Sequence, residues 1–357
     1  MNTTKILSVV VVICGCFLAL SCESPTSTDL RPGRRDYVWT FDTLAFTYNG
    51  SIRALWAAST TEAWAGGGRD MFHYDGVSWK RMEPRFPDCD VNTIWGTAAN
   101  NVWVGGNVGI IKHFDGTGWR TVFVYGGQGG NKSNVTIQKI SGTAFNDVYA
   151  VGLEMIDWDP TKQRGFILHY DGATWKEAFA ANFGSQFISV RNEDGAAYVL
   201  SYLSNDSGQD IGMAVYRFAG GMLTSLFSVP TDAPSITFSD INGHIIFFLP
   251  QGACGYNERN FVLANGTSVP RGVFTKLFSF DDPLFNTIFG GRTTNDAFAS
   301  MKGGIAHYDG TNLSYLLTFP DSFTYVVGST IFDKDVFFGI LDGGYGASVV
   351  AHGRLTE

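Results

Sequence analysis

His73-Tyr74-Asp75-Gly76-Val77-Ser78-Trp79 returns as HFDGTGW at 113–119, as HYDGATW at 169–175 and, shortened, as HYDGTNL at 307–313. A histidine two residues before an aspartate could be a catalytic pair, a metal-ligand pair or turn chemistry. The spacing of the copies decides among these. Aligned on the Asp-Gly step, the series runs Asp75, Asp115, Asp171, then in weaker form Ala219 and Asn265, then Asp309 and His352. A second motif precedes each copy at a regular distance. IRALWAASTTEAWAGG (52–67) matches VNTIWGTAANNVWVGG (91–106), IQKISGTAFNDVYAVG (137–152) and FNTIFGGRTTNDAFAS (285–300). Weaker versions stand at 188–201, 236–249 and 325–340. Together they define seven repeat units between about residues 37 and 355.

Each unit parses into four short strands. In the second they are Thr93–Gly96, Val102–Gly105, Ile110–Phe114 and Gly118–Val122. These runs are rich in β-branched and aromatic residues and are bounded by Gly, Asn, Asp and Ser-Thr turns. Four strands per unit at a period near 45 predict a β-propeller. The expectation is an all-β, seven-bladed ring with four-stranded blades over residues 37–357. The seventh unit ends at VVAHGRLTE without an outer strand, whereas Tyr37-Val38-Trp39-Thr40-Phe41 looks like the outer strands SWKRM and GWRTV. The N-terminal strand is therefore expected to complete the last blade and remove an open sheet edge.

The repeat resembles bacterial propeller repeats that read roughly WG…HYDGxxW. It is similar in style to Asp-box (BNR) sialidase-type and photosystem-assembly-factor propellers. The first likeness implies a carbohydrate-active enzyme, the second an assembly factor for membrane complexes. The true Asp-box spaces its aspartate, glycine and tryptophan one residue further apart than Asp75, Gly76 and Trp79 do.

The chain opens MNTTKILSVVVVICGCFLALSC. The apolar run from Ile6 to Leu20 is too short to span a bilayer comfortably and reads as a secretory signal over residues 1–21. ALSC resembles a bacterial lipobox, which makes Cys22 the expected lipid acceptor. Residues 22–36 become a polar tether, and the address becomes the cell envelope, on either the periplasmic or the outer surface. Acyl chains would hold the protein to a membrane without a spanning helix. RPGRRD at 31–36 is the one basic run and could meet anionic headgroups. A formal charge of −8 argues against a nucleic-acid partner. Cys89 and Cys254 could pair or stay as buried thiols.

The repeated motif has a structural reading. Asp-Gly between strands makes a hairpin turn, so Asp75, Asp115, Asp171 and Asp309 are expected to bind nearby backbone N–H groups. Trp79, Trp119 and Trp175 should seal the blade edge. His73, His113, His169 and His307 should donate to neighbouring backbone carbonyls. Copies in separate blades cannot converge on one metal, so no metal site is expected. No GxSxG, HExxH or CxxC is present, and Arg53 and Arg191 near inner strands lack the third arginine of a sialidase. A glycosidase would have to draw its carboxylates from Asp157, Asp159 and Glu258.

Loop lengths point elsewhere. The second-to-third turns and the links between units share one face, and they are long and irregular. Binding residues concentrate on such loops. Trp158, Tyr202, Tyr256 and Tyr345 supply rings there, and Asp157, Asp159, Asp206, Asp210, Glu258 and Arg259 supply polar groups. The stretch SNDSGQD (204–210) has calcium-like oxygens but no EF-hand spacing. The functional expectation is a monomeric, cofactor-free, non-catalytic scaffold that binds a protein or a glycan.

Overall fold

The computed structural model describes residues 32–356, apart from 48–49, 84, 127–132, 194, 232–236, 242–243, 251–258, 264–274, 281–284, 294, 320–323 and 343–345. Cys22, Cys254, Tyr256, Glu258 and Tyr345 lie outside the described residues, as does the side chain of Arg259. Among the described residues the elements are β-strands and one 3-10 turn at Pro160–Lys162. In the first unit the strands are Ala54–Ser59, Glu62–Gly67, Asp70–Tyr74 and Trp79–Arg81, counted outward from the axis. The other units follow the same antiparallel meander. Second strands are buried on both faces: Ala63, Trp64 and Ala65 all lie within the core. A strand sandwiched between neighbouring sheets cannot show the apolar-polar alternation of a half-exposed one. These features make the fold a β-propeller with four-stranded blades.

Two findings bear on the ring. The N-terminal strand Tyr37–Thr43 pairs antiparallel with Ser348–Leu355 and completes the sheet of the seventh unit. Trp39 faces Gly353 there as Trp79 faces Tyr74 in the first unit, so Trp39 is the outer-strand tryptophan of the closing sheet. Phe337 and Val350 of that sheet pack with Leu55, Ala63 and Phe72 of the first, which seals the ring.

The second finding corrects the expectation of seven separate blades. Six sheets form, five with four strands and one with eight. The long sheet arises because the inner strands Thr237–Ile241 and Phe285–Thr293 pair in parallel through Asp240–Gly290 and Ile241–Gly291. Gly290 makes this possible. Its φ is +155°, and a methyl group there would sit 2.8 Å from the Asp240 carbonyl oxygen. Only glycine lets the two backbones approach in that conformation.

Candidate functional site

The repeated histidines are the natural place to look for chemistry, and the structure gives them another task. His73 Nε2 lies 2.6 Å from Glu62 Oε2, His113 2.6 Å from Asn101 Oδ1, and His169 2.8 Å from Asp147 Oδ1. His307 meets Asp296, and His352 meets Asp335, both at 2.7 Å. The partner is a side chain at the start of the second strand of the same unit. It is neither the aspartate two residues on nor the backbone carbonyl expected from sequence. Each imidazole also lies against the aromatic ring two residues past that partner. The centroid distances are 4.3 Å to Trp64, 4.1 Å to Trp103, 4.3 Å to Tyr149, 4.8 Å to Phe298 and 4.0 Å to Phe337.

The acid-histidine-aromatic clasp has a legible signature. An acidic residue or amide precedes the aromatic by two positions in EAW, NVW, DVY, DAF and DVF. The strand register also moves His352. It pairs with Phe337 as His73 pairs with Trp64, so it occupies the histidine position and not the aspartate position. Unit four lacks both partners, with Ala196 and Arg217 in their places. Burial holds His113 and His352 below the usual histidine range. A stacked ring whose Nε2 is held by a fixed partner serves as a strut within its sheet.

The far side of each clasped ring meets the next unit. Trp64 packs on Phe114 and, edge-on, on Trp119 at 5.5 Å. Trp103 repeats this with Tyr170 and Trp175. The outer tryptophans are therefore bonded into the seams between units as well as closing blade edges. The aspartates make the turns. Asp75 Oδ1 accepts from the N–H groups of Val77 and Ser78 at 3.1 and 2.9 Å, with Gly76 at φ +88°. Asp115, Asp171 and Asp309 do the same two and three residues on. Lys80 and these N–H donors hold the Asp75 carboxyl well below the usual range. The motif's aspartates and the Nε2 atoms of its histidines are engaged by the scaffold, while the buried indole N–H groups of Trp79, Trp119 and Trp175 have no hydrogen-bond partner.

The opposite face differs. Asp157 and Trp158 stand at φ +56° and +58°, two successive non-glycine residues in the left-handed region. Trp158 is 68% exposed. Asp159 caps the 3-10 turn by accepting from Thr161 N at 2.9 Å, while Lys162 bridges to Asp157 at 3.1 Å. Neighbouring connections converge on this turn. Gly208 lies against Pro160, Gly184 N donates to Gln163 O, and Ser204 N donates to Gly184 O. The structure thus gathers Trp158, Asp157, Asp159, Tyr202, Asp206 and Asp210 on one corner of the long-loop face, over units three and four. Tyr202, Asp206 and Asp210 are all exposed.

Two further apolar side chains belong to this corner and were missed in the sequence: Phe183 (53% exposed) and Ile211 (50%). Each is a single apolar residue beside a glycine, Phe183 in a link and Ile211 at the start of the strand Asp210–Ala219, and neither belongs to a repeated pattern. Arg164 lies over the Phe183 ring and donates through Nε and Nη2 to Oε2 of the buried Glu154. Arg259 sits in unit five, on the strand Arg259–Leu263 paired with Pro250 and Phe280.

In the loop at 204–210 Asn205 turns inward, while Asp206 and Asp210 are exposed. Asn205 Oδ1 accepts from Ser207 N, Ser207 Oγ and Gln209 N. Among the described residues, no three His, Cys, Asp or Glu side chains gather as metal ligands. Cys89 is a buried free thiol that burial pushes up to about 12.

With this geometry in view, the relatives can be placed. No protein-family model and no curated protein matches the chain in sequence. Solved structures match in fold. One, described as YCF48 bound to D1 peptide, is similar over 92% of this chain and 100% of its own, with a TM-score of 0.58 at 12% identity. An oligogalacturonate lyase in complex with manganese covers 91% and 99%, at 0.57 and 10%. A chain of the mitotic checkpoint complex covers 100% of both, at 0.55 and 10%. At these identities the likeness is one of fold. The chain is a β-propeller. Its neighbours include an enzyme and a peptide-binding protein, so function must be argued from the site.

Proposed function

We propose that the chain is a non-catalytic binding scaffold of the bacterial cell envelope that captures an extended protein segment on the corner over units three and four. Trp158 carries this reading. A large exposed ring sits on a turn, closed by Asp159 N donating to Ile156 O at 3.0 Å, whose two central residues hold left-handed dihedrals although neither is glycine. Such strain clusters at sites that act on a ligand. Phe183, Tyr202 and Ile211 extend the apolar surface, and aromatic anchors of this kind dominate protein recognition. A peptide-bound neighbour of the same fold supports the choice of a protein segment by analogy, and an assembly role for a membrane complex is one narrower form of it. The carbohydrate-active reading draws less support. Lys162 engages the Asp157 carboxylate, and Thr161 holds Asp159 below its usual range.

The same proposal takes the eight-stranded sheet as two repeat units fused at the axis, making seven units in the ring. It also takes Cys22 as the lipid-bearing residue. The arm just before the first strand docks on the short-turn side of unit six. Gly33 N donates to the carbonyls of Asn295 and Asp309, and Arg35 pairs with Asp309 at 2.9 Å. Arg35 is therefore engaged by the protein and is not free for lipid headgroups. An anchor reached through this arm would leave the long-loop face pointing away from the membrane.

The test places a photo-crosslinking residue at position 158 or at Val77, an 88%-exposed site in a short turn on the opposite face. Crosslinking in the native envelope should give a discrete protein adduct from 158 and none from 77. Phe183→Ala should weaken the adduct from 158. Equal labelling from both positions, or none from 158, would overturn the assignment.

A further inference from the structure

The closing sheet departs from the repeat at its short-turn end. In unit one the third and fourth strands are joined by the Asp75-Gly76 turn, which follows directly on the Tyr74–Trp79 pair. In unit seven the same two strands come from opposite ends of the chain, so no turn stops them. The equivalent pair is Gly353–Trp39, and the ladder runs on through Arg354–Val38 and Leu355–Tyr37. The sheet of unit seven therefore overhangs the level at which unit one turns back. Register fixes which side chains look toward unit one. Val350 and Phe337 pack with Ala63 and Phe72 of unit one. His352 and Arg354 follow Val350 at intervals of two, and Thr40 and Val38 are their cross-strand partners, so all four lie on that face.

Two substitutions in the repeat open space below the overhang. Trp64 and Trp103 are the clasp rings of units one and two, and each reaches two aromatic rings of the following unit. Unit seven has the smaller Phe337 there, 6.1 Å from Tyr74. Opposite the clasp histidine, units one to three carry Lys80, Arg120 and Lys176, whereas unit seven carries Thr40. The result is a cavity of about 480 Å³ between units seven and one, lined by Val38, Thr40, Tyr74, Gly76, His352 and Arg354. Sites for small organic ligands fall in the range of roughly 300–1,000 Å³. The Val38 methyls and the rings of Tyr74 and His352 give the cavity an apolar wall. The Tyr74 hydroxyl already donates to Gly76 O at 3.0 Å. Arg354 supplies the charge. Its Nε donates to Asp335 Oδ1 at 2.9 Å, which fixes the guanidinium plane, and the side chain is 60% exposed. Among the described residues its two terminal nitrogens have no hydrogen-bond partner.

We propose that this closure cavity binds a small organic carboxylate with an apolar body. The two terminal nitrogens of Arg354 form a planar fork that matches the two oxygens of a carboxylate. The body lies against Val38 and Tyr74. Asp335 shares the guanidinium, and Asp42 stands on the same strand face as Thr40, two residues further along. One cation among two carboxylates accommodates a monoanion better than a phosphate dianion. The site uses no residue of the long-loop corner, so the two proposals succeed or fail separately.

The full chain is titrated by NMR with sodium phenylacetate. Its neutral counterpart 2-phenylethanol, sodium acetate and sodium phosphate serve as comparisons. Phenylacetate should bind saturably, and its ring protons should show contacts with the Val38 methyls and the Tyr74 ring in the unaltered protein. Phenylethanol lacks the charge and acetate lacks the body, so each should bind roughly tenfold or more weakly. Arg354→Gln should weaken phenylacetate by roughly tenfold or more, the loss of a charge-assisted contact, and leave phenylethanol within about twofold. Because Arg354 also holds Asp335, Thr40→Trp is the second variant. It keeps the guanidinium, fills the cavity at a position where other units carry long side chains, and should abolish binding of both ring compounds. Absence of saturable binding, phenylacetate contacts that miss Val38 and Tyr74, or equal binding of phenylethanol would overturn the site. Phosphate that displaces phenylacetate would overturn the choice of a carboxylate.

Discussion

The two faces of the ring are built from the same strands but treat their polar groups in opposite ways. On the short-turn face the repeated aspartates and histidines have fixed partners. Asp75 binds its own turn, His73 binds Glu62, and Trp64 sits between its histidine and the next unit. Over units three and four, on the other face, Trp158, Phe183, Tyr202 and Ile211 project outward. The difference teaches how to read such a repeat. Where the sequence recurs, its side chains hold the scaffold together. Where it breaks down, side chains remain available for a ligand. Unit four marks the transition: it has lost its clasp, and its loops carry Tyr202, Asp206 and Asp210.

The contrast can be broken first at a seam. Trp103 is buried between His113 on one side and Tyr170 and Trp175 on the other. Trp103→Ala should cost about 3–5 kcal/mol of unfolding free energy, the range for large-to-small changes at buried aromatics. Val77→Ala, on the same face but exposed, should stay within about 0.5 kcal/mol. Urea denaturation reads both, and similar losses would mean that the seam is not the main source of stability. A smaller effect should separate two copies of the clasp. Asp335 is buried and bonds the buried His352 as well as the exposed Arg354, so Asp335→Ala should cost about 3 kcal/mol by orphaning His352. Glu62 is about one-third exposed, and Glu62→Ala should cost about 1 kcal/mol or less. Equal costs would show that the clasp acts through geometry rather than through buried charge.

Much of the fold was readable because a four-stranded meander leaves the same turn residues at a fixed period. Asp75, Asp115 and Asp171 marked the units, and Tyr37–Phe41 was recognisable as a displaced outer strand. The fusion into six sheets was not readable. It depends on one glycine, Gly290, whose conformation no repeat pattern announces. The partner of the histidine was missed for a different reason. Glu62 lies eleven positions before His73, and the two meet only because adjacent antiparallel strands bring them side by side. His352 was misplaced by two residues because unit seven lacks the Asp-Gly step used for alignment. At the candidate site, Trp158 and Tyr202 stood out as aromatic residues in irregular loops. Phe183 and Ile211 did not, since neither belongs to a repeated pattern. In the loop at 204–210 Asn205 Oδ1 turns inward to its own backbone, an Asx-type contact that spacing alone does not announce.

The smallest effect tests whether the exposed corner is held in place for a ligand. A non-glycine residue at positive φ costs of order 1 kcal/mol, and glycine removes that cost. Trp158→Gly should therefore raise unfolding free energy by up to about 1 kcal/mol, because the exposed ring contributes little packing that glycine would lose. The same change should abolish capture of a protein segment by this face. Stability and binding would then move in opposite directions at one residue, the behaviour expected where strain is retained for function. Trp158→Ala is the discriminating control. It removes the ring but keeps the positive-φ cost, so it should lose capture without the gain in stability. If Trp158→Gly is instead destabilising, the ring is packing onto the loop, and the corner belongs with the scaffold rather than with a ligand.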